Sequence, residues 1–66
     1  MTGEYIKKAR EIRGVTEQQI ADYLNIKLRT YRAYESGERQ PSIEIIIEIA
    51  DYLYATVDYL LGVTRQ

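Results

Sequence analysis

Residues 27 to 37 read KLRTYRAYESG and place Lys27, Arg29 and Arg32 within six positions, beside Tyr31 and Tyr34 and ahead of Glu35 and Gly37. A helix of this composition either reads a partner through its cations or uses them only to stay soluble. The choice turns on which face is left free. In a helical register Tyr31 and Tyr34, three apart, turn towards a core together with Ile26. Leu28, Arg29, Arg32 and Ala33 then occupy the other side. The cations therefore share a face directed away from the interior.

Other chemistries are thinly provided. The 66 residues include no Cys and no His, which excludes a disulfide framework and the usual zinc ligand sets. Catalysis would fall to carboxylates, Lys or Tyr in a pocket for which so small a domain has little room, and no Gly-rich phosphate loop is present. The expectation is a protein that is not an enzyme, with no metal, no cofactor and no small-molecule substrate. The longest run of aliphatic residues is Ile45, Ile46 and Ile47, far short of a membrane span. Glu4, Lys7 and Lys8 stand where a signal peptide needs apolar residues, so a cytoplasmic location is expected. The net charge of −1 argues against general affinity for nucleic acid. That average hides an asymmetry: residues 1–40 hold eight cations against six carboxylates, and residues 41–66 hold Arg65 against four carboxylates.

The elements that must position the cations are legible in the punctuation. Thr2 can cap a first helix in which Tyr5, Ile6, Ala9 and Ile12 recur at helical spacing, with Gly14 as a left-handed stop. Thr16-Glu17-Gln18-Gln19 has the form of a capping box, Ile20, Ala21 and Leu24 make an apolar stripe, and Asn25 tolerates positive φ. Lys27 is a weak cap for the third helix, which Gly37 ends. Segment 41–54, PSIEIIIEIADYLY, alternates enough to suggest a strand. Ser42 after Pro41 and the spacing of Ile43, Ile46, Ala50 and Leu53 favour a helix. Thr56 caps a last short helix with Val57, Leu60 and Leu61 inward. The expected architecture is all-α: one domain over residues 1–66, a compact bundle of five short helices near 3–13, 17–24, 28–36, 43–54 and 57–61.

Two short helices joined by a tight turn, the second with a polar outer face, is the helix-turn-helix plan. The ordered set Ile6, Arg10, Gly14-Val15-Thr16, Ile20-Ala21, Leu24-Asn25-Ile26, Thr30, Tyr34-Glu35, Gly37, Arg39, Pro41-Ser42, Ile49-Ala50, Leu53 and Asp58-Tyr59-Leu60-Leu61-Gly62 resembles the domain of Cro and lambda-type phage repressors. The resemblance covers essentially the whole chain. It implies a transcriptional regulator, a repressor, that binds double-stranded DNA sequence-specifically as a homodimer on a near-palindromic operator, with the third helix in the major groove.

Carried over by position, the resemblance assigns base edges to Leu28, Arg29, Arg32 and Ala33. It assigns DNA backbone to Arg10, Thr16, Glu17, Gln18, Lys27, Ser36, Gly37, Arg39 and Gln40, and an ion pair between helices to Arg10 and Glu35. An arginine fork matches the O6 and N7 acceptors of guanine, and Leu28 can touch a thymine methyl. Three residues depart from the family pattern. Glu17 stands where many relatives carry a phosphate-binding Gln, Lys27 where Ser or Thr is usual, and Glu38 adds negative charge beside the phosphate grip. These, with the acidic second half, motivate an alternative function as a protein-interaction module that kept the fold. Tyr31 and Tyr34 are expected to be core residues with wet hydroxyls. Ile45 and Tyr52 lie off the main stripe of the fourth helix and make a candidate dimer patch.

Overall fold

In the computed structural model, which describes residues 2–63, the chain folds into five helices: α1 Thr2–Arg13, α2 Glu17–Leu24, α3 Leu28–Ser36, α4 Ile43–Leu53 and α5 Val57–Leu61. Local chemistry sets most of the boundaries. The Thr16 hydroxyl accepts from the Gln19 amide at 3.0 Å while the Thr16 amide donates to Gln19 Oε1 at 2.8 Å, which satisfies two orphan groups at the start of α2. Ser42 and Thr56 cap α4 and α5 through single side-chain bonds, and Lys27 supplies none to α3. Gly37 closes α3 in the left-handed region at φ 86°.

α1 packs on α3, α4 and α5; α2 packs on α3 and α4; α4 also packs on α5. Ile6, Ile20, Tyr31, Ile46, Ile49, Leu53 and Leu60 are the large, fully buried side chains at the centre. The interior positions of α4, Ile46, Ile49, Ala50 and Leu53, follow the helical period. Its isoleucines at 43 and 47 face outward.

Several expectations are corrected. Thr2 lies inside α1 rather than capping it. Ile12 is 78% exposed: the inward face of α1 runs through Gly3, Ile6 and Ala9, and at the next turn the exposed Arg13 folds over the edge of the bundle, donating from Nε to the Leu53 carbonyl at 2.8 Å. Arg13 thereby binds the C-terminal end of α4, where carbonyls lack partners. Its guanidinium also lies 5.1 Å from the Tyr54 ring centroid. α4 accordingly stops at Leu53, and Tyr54 turns left-handed at φ 56° instead of extending the helix. Ile43 and Leu61 are exposed, not inward. Ile45 and Tyr52 are each half-buried against the core, and Tyr52 stacks on Tyr23 with centroids 4.4 Å apart.

Gly3 explains how α1 comes so close to α3. A Cβ at this position would sit 2.4 Å from the Glu35 carbonyl oxygen and 2.6 Å from that of Tyr34. Only a residue without a side chain lets the start of α1 rest on the backbone at the end of α3.

Candidate nucleic-acid interface

The turn between α2 and α3 is three residues long. Asn25 sits left-handed at φ 59°, its amide bonding the Asp22 carbonyl, and the Ile26 amide reaches back to Ala21 at 3.1 Å. Both bonds satisfy carbonyls at the end of α2 and swing the chain directly into α3.

The orientation of α3 is held from inside by a polar cluster. Arg10 Nε donates to Glu35 Oε2 at 2.6 Å and Arg10 Nη2 to Oε1 at 3.4 Å. Arg10 Nη1 donates to the Val15 carbonyl at 2.9 Å, and the Tyr31 hydroxyl donates to Glu35 Oε2 at 2.5 Å. The side chains of Arg10 and Glu35 are 12% and 6% exposed. One carboxylate thus joins α1 to two successive turns of α3, and Arg10 extends the tie to the α1–α2 connection. The Glu35 hydrogen bond raises the Arg10 pKa above the ordinary arginine value, against the opposing effect of burial. The Tyr31 phenol is pushed well above the ordinary tyrosine value, first by burial and then by Glu35. The Tyr31 hydroxyl is therefore not wet, as expected from sequence, but bonded inside the core.

Outward, α3 presents Arg29 and Arg32 between two open concavities. The larger, about 860 Å³, is lined by Asn25, Ile26, Lys27, Arg29, Thr30, Ala33, Glu38 and Arg39. The smaller, about 560 Å³, is lined by Leu28, Arg29, Arg32, Ala33, Ser36 and Glu38. Arg29, Ala33 and Glu38 belong to both, so they form the shared wall. Around it stand four cations, with the Glu38 carboxylate in the wall itself and Glu17 paired to Arg32 at its margin. Lys27, Arg29 and Arg39 make no ion pair with another described residue.

Of the residues singled out from sequence, Lys27, Leu28, Arg29, Arg32, Ala33, Ser36 and Arg39 come together on this surface. Two of them sit deeper than expected. Leu28 is half-buried against the core, and Ala33 is nearly covered, forming the floor rather than an exposed contact. The Arg39 amide donates to the Ala33 carbonyl at 3.1 Å, folding the chain after α3 back along it. Ser36 Oγ donates to that carbonyl and accepts from the Glu38 amide, which orders the turn around Gly37. Gln40 is exposed next to Pro41.

Thr16 and Gln18 lie at the start of α2, with the Gln18 side chain donating to Asp22 at 2.8 Å. Glu17 binds Arg32 instead of standing free, at 3.1 Å from Nε. Arg10, assigned to DNA backbone by resemblance, is turned inward with donors on Glu35 and Val15. Three contributors escaped the sequence reading: Gly3, Arg13 and the hydroxyl of Tyr31. Only Tyr31 left a signal, standing one helical turn before Glu35 on the same face.

The helix-turn-helix family profile matches residues 6–60. The chain is 41% identical over 61 residues to the uncharacterized HTH-type transcriptional regulator YqaE of Bacillus subtilis, covering 92% of this chain and 53% of that protein. It is 39% identical over 59 residues to the cryptic phage CTXphi transcriptional repressor RstR of Vibrio cholerae, covering 89% and 53%. The crystal structure of a transcriptional regulator from Listeria innocua superposes with a TM-score of 0.86 at 33% identity, over 100% of this chain and 62% of that one. The chain thus spans about half the length of the curated relatives it matches. With the capped α2, the left-handed turn at Asn25 and the outward cations of α3 in the order the family requires, the chain belongs to the Cro- and phage-repressor-type helix-turn-helix family of transcriptional regulators.

Proposed function

We propose that the chain binds double-stranded DNA sequence-selectively as a transcriptional repressor, with α3 in the major groove. One observation carries the reading: Lys27, Arg29, Arg32 and Arg39 gather around the outer face of α3 in a chain of net charge −1. Arg29 and Arg32 read base edges from the exposed side of the helix. Leu28 offers its remaining surface to a thymine methyl, and the small Ala33 lets the helix approach the groove. Lys27, Ser36, Gly37, Arg39 and Gln40 meet phosphates on one side, Thr16 and Gln18 on the other. A homodimer on a near-palindromic operator places two α3 helices about 34 Å apart.

Glu17 and Glu38, both at this surface, favour a second reading in which the fold serves as a protein-interaction module. Salt separates the two. If three cations per subunit each neutralise a phosphate, log K falls with log salt at a slope of about −2.7 per subunit, roughly a 40-fold loss between 50 and 200 mM. Fluorescence anisotropy on a labelled mixed-sequence duplex reads this directly. A flat response, or no binding at 50 mM, favours the interaction module.

A further inference from the structure

Arg32 and Glu17 form one of only two ion pairs among the described residues. The other lies inside the fold; this one lies on its outer surface, with the Arg32 side chain 61% exposed. It spans from the first residue of α2 to the middle of α3, fifteen positions apart. The atoms involved matter. Arg32 uses Nε to bind Glu17 Oε1 at 3.1 Å, and neither of its terminal nitrogens bonds another described residue. An arginine held by Nε keeps the two-pronged Nη1/Nη2 edge free, and that edge can donate end-on to two acceptors on one base.

The charge of Glu17 points the same way. A carboxylate at the start of α2 suits the helix dipole but repels any phosphate brought to that helix end. It therefore cannot act as a backbone grip. Paired with Arg32, it does two other things. It restrains a flexible cation to one direction, and it leaves a local repulsion that every duplex feels alike.

We propose that Glu17 is a specificity-determining positioning residue. It aims the free edge of Arg32 at a guanine in the major groove and weakens binding to duplexes that lack one at that position. The proposal rests on the DNA-binding reading above and assigns Glu17 a role opposite to phosphate contact. The consequence is a separation of affinity from selectivity. Removing the carboxylate strengthens non-selective binding while weakening discrimination at the one position that Arg32 reads.

The test is selection from random duplexes followed by anisotropy on the enriched site and on a single-base variant, for wild type, E17Q, E17A, R32A and E17A/R32A. A good arginine–guanine pair discriminates by roughly 5- to 150-fold. E17A is expected to reduce that ratio at one position at least about 5-fold and to raise affinity for the variant duplex about 2- to 5-fold. E17Q removes the charge but keeps an oxygen for Nε, so it is expected to raise overall affinity while retaining more selectivity than E17A. In the R32A background, E17A is expected to change the ratio no further. The pair is exposed, so every variant should keep a thermal midpoint within a few degrees of wild type.

If wild type is selective and E17A leaves the ratio unchanged, the positioning role is overturned while the DNA-binding reading stands. The same holds if E17A lowers the ratio equally with and without Arg32. If wild type enriches no base at any position, the reading of the surface fails and takes the role of Glu17 with it.

Discussion

Replacing Glu35 by Ala removes the acceptor at the centre of the polar cluster. The magnitude follows from what is left behind. Arg10, 12% exposed, loses both of its bonds to the carboxylate, and the Tyr31 hydroxyl, in a fully buried side chain, loses its partner. Breaking a buried ion pair from one side costs about 3–5 kcal/mol, and an unsatisfied buried hydroxyl adds about 1–3 kcal/mol. A 66-residue domain has only about 3–10 kcal/mol in hand. Glu35→Ala is therefore expected to leave the chain largely unfolded at 25 °C, by far-ultraviolet circular dichroism across a urea series. Removing the charge from both sides separates loss of a pair from loss of packing. Arg10→Met combined with Glu35→Leu should recover more than half of the lost stability, because an apolar replacement leaves no charge stranded. Arg10→Ala should likewise lower the midpoint far more than Arg29→Ala, since the exposed Arg29 makes no ion pair with another described residue. A Glu35→Ala variant that loses less than about 1 kcal/mol would refute the reasoning, as would a double variant no more stable than the single one.

The raised pKa of Tyr31 has a sign that can be checked. The unfolded phenol ionises near pH 10 while the folded one keeps its proton, so its contribution to stability is complete below pH 10 and declines as pH rises beyond it. Tyr31→Phe should make the loss of stability between pH 10 and 12 shallower by up to about 1.4 kcal/mol per pH unit, read as the urea midpoint against pH. Gly3→Ala should cost about 1–3 kcal/mol, because a methyl group there meets two backbone carbonyls that cannot swing aside. The corresponding fall in thermal midpoint, roughly 4–8 °C per kcal/mol, is visible in a melting curve. Arg39→Ala should weaken DNA binding by a similar factor on every sequence and make the slope of log K against log salt shallower by about 0.9 per subunit, measured by anisotropy.

The parts of the fold that were readable in the sequence are those decided within one turn of chain. Thr16 and Gln19, Ser42, Thr56, Asn25 and Gly37 each act on backbone no more than a few residues away, so residue type alone announces them. The parts that were not readable depend on partners far along the chain. Arg13 reaches a carbonyl forty positions on and lies against the ring of Tyr54, the tyrosine that takes positive φ at the end of α4. Gly3 looks like a poor helix residue until α3 is known to lie against it. The proposed interface behaves in the same way. The outward direction of Arg29 and Arg32 followed from helical spacing, whereas the covering of Ala33 and Leu28 and the capture of Arg32 by Glu17 required the neighbouring helix. Arg10 and Glu35 came from family resemblance, since a pair twenty-five residues apart has no local signature.

The central claim is that the outer face of α3 and the turns flanking it bind duplex DNA. The most direct measurement is an amide-shift titration by NMR with a short mixed-sequence duplex, at low salt and again at high salt. The account predicts shifts gathered at residues 16–18, 27–33 and 36–40, fading as salt rises, with α5 and the C-terminal half of α4 unmoved. Absence of shifts at those residues at low salt, or shifts centred on α4 and α5, would contradict it.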